Sequence, residues 1–219
     1  MDFKELQDDV FGRLEENSVS PDYYSLAEVK GRINRALEFI SEETGGYVPT
    51  LPYSLALQAN VTYYALGGPN GLIGETFVKV WRIFNPQFGE WMAPSDERRI
   101  EKDFMRWNTV IGNPKQFWIK GAWMLGIYPK VSMATGTLSV VYGAVPAPMV
   151  ADADQPWVPG DEFREALVAW AVGDLLLKTK EAGKATAYFD LYTERRDALF
   201  LWLQRRNQTD RTIIMGAEG

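Results

Sequence analysis

Histidine and cysteine are both absent from this 219-residue chain. Without histidine there is no usual general base near neutral pH, no standard partner for a catalytic serine and no commonest zinc ligand. Without cysteine there is no disulfide framework, no thiolate metal site and no thiol nucleophile. Long apolar runs are missing too. None approaches the roughly 20 residues that a bilayer-spanning helix needs, so no membrane contact is expected. Basic residues are in deficit, 23 against 29 acids, for a formal charge of −6. That balance argues against a general nucleic-acid surface, which needs an excess of cations to neutralise phosphates, but leaves a local basic patch open. The opening MDFKELQDDVFGRL carries early acids and no apolar core, so it is not expected to act as a signal peptide, and synthesis in a reducing cytoplasm is expected.

What is present is apolar and aromatic: 46% of the chain is hydrophobic, with eight Trp and ten Tyr, too much for general disorder. The length suits one substantial core, or one domain carrying a large insertion. Phe3, Leu6, Val10 and Leu14 fall at helical spacing within 2–16. After a break at 17–21, Ser25 and Glu28 form a capping box for a second helix. Its stripe is Leu26, Val29, Ile33, Leu37 and Ile40, and Gly45–Gly46 ends it. From Tyr47 to about Tyr142 the spacing changes to strands: Ser54–Leu66, Ile73–Phe84, Gln116–Tyr128 (broken at Gly121) and Thr137–Tyr142. The first of these suits a helix equally well over 55–59. One helix interrupts the block, capped by Ser95 and facing inward through Ile100, Phe104 and Trp107. Short connections favour antiparallel pairing.

Pro146, Pro148, Pro156 and Pro159 then forbid regular structure. The helix at about 160–180 is apolar on more than one face, which predicts a central position or partial burial by a neighbouring subunit. A last helix carries Tyr188, Tyr192, Leu199, Trp202 and Leu203 on one side, and a polar tail with an Ile-Ile-Met triplet follows. The expected fold is α+β. Residues 1–46 and 157–206 would build a four-helix core, 47–156 an inserted antiparallel β-rich domain, and 207–219 a free C-terminal arm. Two separate domains is the alternative; insertion is preferred because neither helical pair has enough apolar surface alone.

No catalytic constellation emerges, and neither enzymatic activity nor a cofactor or metal is expected. Asp152, Asp154, Asp161 and Glu162 match no calcium-loop spacing, and helix starts attract acids for dipole reasons. The adjacent pairs Glu15–Glu16 and Glu42–Glu43 suit solvated faces. Asp174, in the most apolar helix, needs a partner such as Arg32 or Arg35. Tyr63, Tyr64, Trp81, Trp91, Trp118 and Trp123 fill a thin β core or, alternatively, form a sugar-stacking surface. Arg195, Arg196, Arg205, Arg206 and Arg211 make a solvated basic face or a contact for an acidic partner. The tail is either disordered or an arm that orders on docking.

The run GTLSVVYGAVPAPM, then DADQPWVP, then EALVAWAVGDLLLKTKEAGKATAYFDLY, together with SLAEVKGRINRALEFISEETG near the start, resembles the head–tail adaptor (connector) proteins of tailed bacteriophages. The resemblance covers most of the chain in the order and type of elements. It implies a structural virion protein in the neck between head and tail. Such a protein forms a twelve-fold homo-oligomeric ring under the portal protein, receives tail (nozzle or tail-completion) proteins, and lines the exit channel, with DNA met only in passage. It places a portal-binding arm at Arg205, Arg206, Arg211, Ile213, Ile214 and Met215, and a subunit interface at Trp170, Asp174 and Leu177. A tail-associated carbohydrate-binding module is the competing expectation.

Overall fold

In the computed structural model the chain is α+β; among the described residues it forms five α-helices and two antiparallel-rich sheets. The structure describes residues 1–16, 19, 23–49, 51–74, 76–134 and 136–215, with side chains as far as Arg205. Two units emerge, residues 1–44 with 146–219, and residues 45–145.

The first unit is helical. Helix α1 (Phe3–Arg13) starts at Asp2, whose carboxylate accepts the Glu5 N–H while the Glu5 carboxylate accepts the Asp2 N–H, both at 2.8 Å. Helix α2 (Leu26–Thr44) opens on the expected box: Glu28 N–H donates to Ser25 Oγ at 3.2 Å, and Ser25 N–H to the Glu28 carboxylate at 3.0 Å. It ends where Gly45 and Gly46 take φ of +98° and +84°, which β-carbon sterics deny most residues. Helix α4 (Asp161–Lys178) turns through 179–181 into α5 (Ala182–Met215), and Phe163 meets Trp202 while Gly173 meets Phe189, so the two run antiparallel. Side chains of α1, α2, α4 and α5 share one buried cluster, with α4 touching each of the other three. Its breadth of apolar surface therefore has partners within the chain. Each large side chain so buried contributes about 1.5–3 kcal/mol.

The proline-rich connector belongs to this unit. Asp154 and Asp152 carbonyls accept the Phe3 and Lys4 N–H groups at 2.8 and 3.0 Å, satisfying donors that the first turn of α1 leaves without helical partners. Asn34 exchanges two hydrogen bonds with the Met149 backbone, and the Trp157 indole donates to buried Ser41 at 2.8 Å.

The second unit holds sheets ordered β1-β8-β3-β4 and β2-β7-β6-β5, with β1 (Tyr53–Ala56), β2 (Tyr63–Ala65), β3 (Phe77–Asn85), β4 (Glu90–Trp91), β5 (Ala93–Pro94), β6 (Gln116–Lys120), β7 (Met124–Tyr128) and β8 (Thr137–Ala144). Leu55, Ile83, Leu138 and Val140 of one sheet and Tyr64, Phe117, Leu125 and Ile127 of the other share a core. Tyr47 and Ala144 exchange two backbone hydrogen bonds of 2.8 Å, so the entry and exit of the unit lie side by side.

Several boundaries differ from expectation. The stretch 54–66 is two strands in different sheets, because Asn60 takes φ +60° and turns the chain between them. Asparagine is the non-glycine residue that tolerates that region best. The third strand begins at Phe77 rather than Ile73, and β5 pairs with β6 in parallel, an exception to the antiparallel rule. Helix α3 (Glu97–Asp103) is capped by Asp96, not Ser95; Asp96 accepts the Arg98 N–H at 2.8 Å. It ends before Phe104, which is exposed, while Trp107 starts a single 3-10 turn. The arm expected to be free from 207 is helical to Met215, because nothing between Asn207 and Met215 breaks a helix and each added residue gains a backbone hydrogen bond.

Candidate functional site

Length is the main property of α5, whose helical backbone runs to Met215. Trp202 and Leu203 are its last described side chains packed on the buried cluster, beside Phe163 in the first turn of α4. Residues 204–215 continue the helix for about 18 Å, at about 1.5 Å per residue. The expected arm residues Arg206, Arg211, Ile213, Ile214 and Met215 stand on this helical backbone, and their side chains lie outside the described residues.

The basic face of α5 is largely engaged inside the chain. Arg195 pairs with Glu165 of α4 at 2.9 Å, and the same carboxylate receives Arg13 of α1 at 3.3 Å. Arg196 reaches Glu43 of α2 at 3.1 Å and its neighbour Asp197 at 2.8 Å. Tyr192 also donates to Glu43 at 2.8 Å, and burial first, then that carboxylate, pushes its phenol pKa up. These arginines join helices; neither is a loose cation waiting for a partner.

On α4, Asp174 pairs with Arg32 at 2.9 Å, as its apolar setting required. Trp170 packs on Phe39, with ring centroids 5.2 Å apart, and the Arg35 guanidinium lies 4.5 Å from the centre of the Phe39 ring. Leu177 is 50% exposed. Beside it, Lys178 donates to Glu28 at 2.7 Å and covers the ring of Tyr23, which is 53% exposed. The Lys178 ammonium first, then the Ser25 N–H and hydroxyl, hold the Glu28 carboxyl down at about 2. The end of α4 is thus an exposed apolar strip around a fixed ion pair.

Acidic residues of the connector and of the start of α4 are engaged within the chain. Asp154 accepts the Val150 and Ala151 N–H groups at 2.7 and 2.8 Å, Asp152 pairs with Lys30 at 3.0 Å, and Asp161 accepts the Met1 amino group at 2.8 Å. No cluster of metal-ligating side chains occurs among the described residues, and no helix among them is long and apolar enough to cross a membrane.

The β-unit aromatics do not converge on one platform. Tyr64 and Trp118 are buried, and Tyr63 packs edge-on against Trp107 and Trp118. Trp81 and Trp91 belong to one sheet, Trp118 and Tyr63 to the other. Tyr63 donates a short hydrogen bond to Glu97, which also accepts Lys120 at 2.8 Å. Lys120 first and Tyr63 second lower the Glu97 pKa, while burial and Glu97 raise that of Tyr63, so both groups titrate away from neutral pH.

Sequence reasoning overlooks the knuckle after α3. Phe104 is 42% exposed, Met105 95%, and Arg106 is held at φ +70°, a left-handed conformation that costs most residues energy. Arg98, Arg99 and Lys102 stand on the preceding helix, all exposed. The only signal in the sequence is Phe-Met set among charges at 101–106.

A family model described as SU10 adaptor protein matches residues 1–215. Among curated proteins none matches the chain.

Proposed function

The chain belongs to the SU10 adaptor protein family, a phage head–tail adaptor family, and from that premise we propose that it works by assembly. The family makes it a structural component of the phage particle that joins head and tail. In the proposed arrangement the helical unit of each copy meets its neighbours in a ring of twelve beneath the portal protein. The β unit serves the contacts with tail proteins, and DNA passes through the ring. Trp170, Asp174 and Leu177 mark the face of the helical unit offered to the next copy. Of the three, Leu177 alone is exposed, at 50%, while Asp174 keeps Arg32 as an internal partner.

The observation that carries this reading is the continuation of α5 as one helix to Met215, beyond Trp202 and Leu203, its last described side chains on the buried cluster. A backbone already helical over the about 18 Å from Gln204 to Met215 has less to order on docking into a partner's groove. Arg205, Arg206, Arg211, Ile213, Ile214 and Met215 are the proposed portal contacts. Removing residues after Arg206 keeps every described member of the buried cluster, so the truncated chain is expected to keep its melting temperature and lose co-purification with portal. Full-strength co-purification of the truncated chain would refute the docking helix.

A further inference from the structure

Four strands end the two sheets: β1 and β4 in one, β2 and β5 in the other. A free sheet edge presents unpaired N–H and C=O groups, and proteins blunt such edges by shortening, charging, bulging or covering them. Three of these four are blunted. Strand β4 is two residues long and carries Glu90. Strand β5 is also two residues, and one of them, Pro94, has no N–H to give. Strand β2 is three residues, partly closed by its own following loop, where the Leu72 N–H donates to the Ala65 carbonyl at 2.9 Å.

Strand β1 has none of these devices. Its register with β8 is unbroken from Tyr53 to Ala56, and the Leu57 N–H carries the ladder on to the Gly136 carbonyl at 3.2 Å. Antiparallel pairing alternates, so Tyr53, Leu55 and Leu57 turn their backbone groups to β8, while Ser54 and Ala56 turn theirs outward. Both of these residues are exposed, and neither has a hydrogen-bond partner on that side among the described residues. Charge is missing as well. Residues 45–145 carry nine Lys and Arg against six Asp and Glu, a net of +3 against −9 for the rest of the chain. Yet no charged residue stands between Glu43 and Glu75. The most open edge of the β unit is also an edge without charge.

We propose that β1 accepts an added strand from a tail protein, an extended and uncharged segment that pairs with Ser54 and Ala56 and turns β1 into an inner strand. The inference rests on the adaptor reading above and names how the β unit holds its tail partner. Only an extended backbone matches donors and acceptors that recur about every 7 Å along an edge. Phosphate has nothing to bind on this stretch, which holds no cation. A second copy of this chain has no comparable edge to offer except its own β1. Pairing β1 with β1 is two-fold, which closes a pair of chains and builds no ring. The strand therefore comes from another protein.

Amide hydrogen exchange over residues 53–57 tests this in the full-length chain, compared alone, in portal-bound rings and in intact tailed particles. The Ser54 and Ala56 amides are expected to exchange freely in the first two and at least about tenfold more slowly in tailed particles. Leu55 and Leu57, already bonded to β8, serve as slow references throughout. Equal exchange in all three samples overturns the added strand. So does slowing in the free chain that grows with concentration, which assigns the edge to a second copy, and slowing in portal-bound rings before any tail protein is present. Two variants give an independent readout. Ser54→Pro removes an outward N–H and spares the β8 ladder, and Ala56→Lys puts a charge beside the edge. Each is expected to keep the melting temperature, to seat on portal and to yield at least about tenfold fewer tailed particles. Normal tailing by either folded variant overturns the proposal, and if one fails to fold, the other and the wild-type exchange still decide it. Portal-bound rings whose β1 amides stay open in tailed particles leave the ring reading and remove the strand; slowed amides in particles without rings do the reverse.

Discussion

Glu28 shows how much a single side chain does in the helical unit. Its carboxylate caps α2 through Ser25 and ties the end of α4 through Lys178. Its pKa is about 2 in the folded chain against an ordinary 4.5, so it contributes stability that is fully present above pH 4.5 and is lost as pH falls towards 2. Glu28→Gln is expected to lower the melting temperature near pH 6, with the gap from wild type narrowing between pH 4.5 and 2. A gap that stayed constant with pH would contradict this role. The cap is legible in the sequence because Ser-x-x-Glu before an apolar stripe has a local geometry. Asp174 is legible for a different reason: a carboxylate among leucines needs a cation, and Arg32 lies within reach. Met105 is not legible. Its exposure follows from where α3 stops and from the left-handed turn at Arg106, and neither is fixed by the residues immediately around it.

Among the secondary-structure elements, helix boundaries are easier to read than strand partners. Helix starts and stops are set locally by caps and glycines, as at Ser25 and Gly45–Gly46. Strand partners are set by distant residues. The run 54–66 has strand composition over most of its length, yet its halves pair with β8 and β7 in different sheets, and Asn60 alone hints at the break. The short β5 pairs with β6 in parallel, which no local pattern announces. Composition misleads in the tail: polar residues suggest a loose arm, but the backbone continues the helix of α5 to Met215. That difference is testable. Thr209→Pro removes a helical hydrogen bond and clashes with the preceding turn, at a cost of about 3 kcal/mol to the local helix. The variant is expected to melt with the wild type and to bind portal at least about tenfold more weakly. Unchanged affinity would mean that the arm docks as an extended segment.

Over the whole molecule, the two units differ in architecture and in charge, helical and −9 against β-rich and +3. A net charge summed over the full length conceals this division, because the boundary between the units is set by which residues pack together and not by composition. The family match over residues 1–215 spans both units and the extension of α5, so the adaptor role belongs to the chain as a whole. If the chain acts by assembly, electron microscopy of the full-length protein, alone and mixed with portal, will reveal it. Twelve-fold rings seated on portal are predicted, and they are lost when the residues after Arg206 are removed. Portal that stays bare with the full-length chain, or rings that seat equally well without the extension, would contradict assembly through the α5 helix.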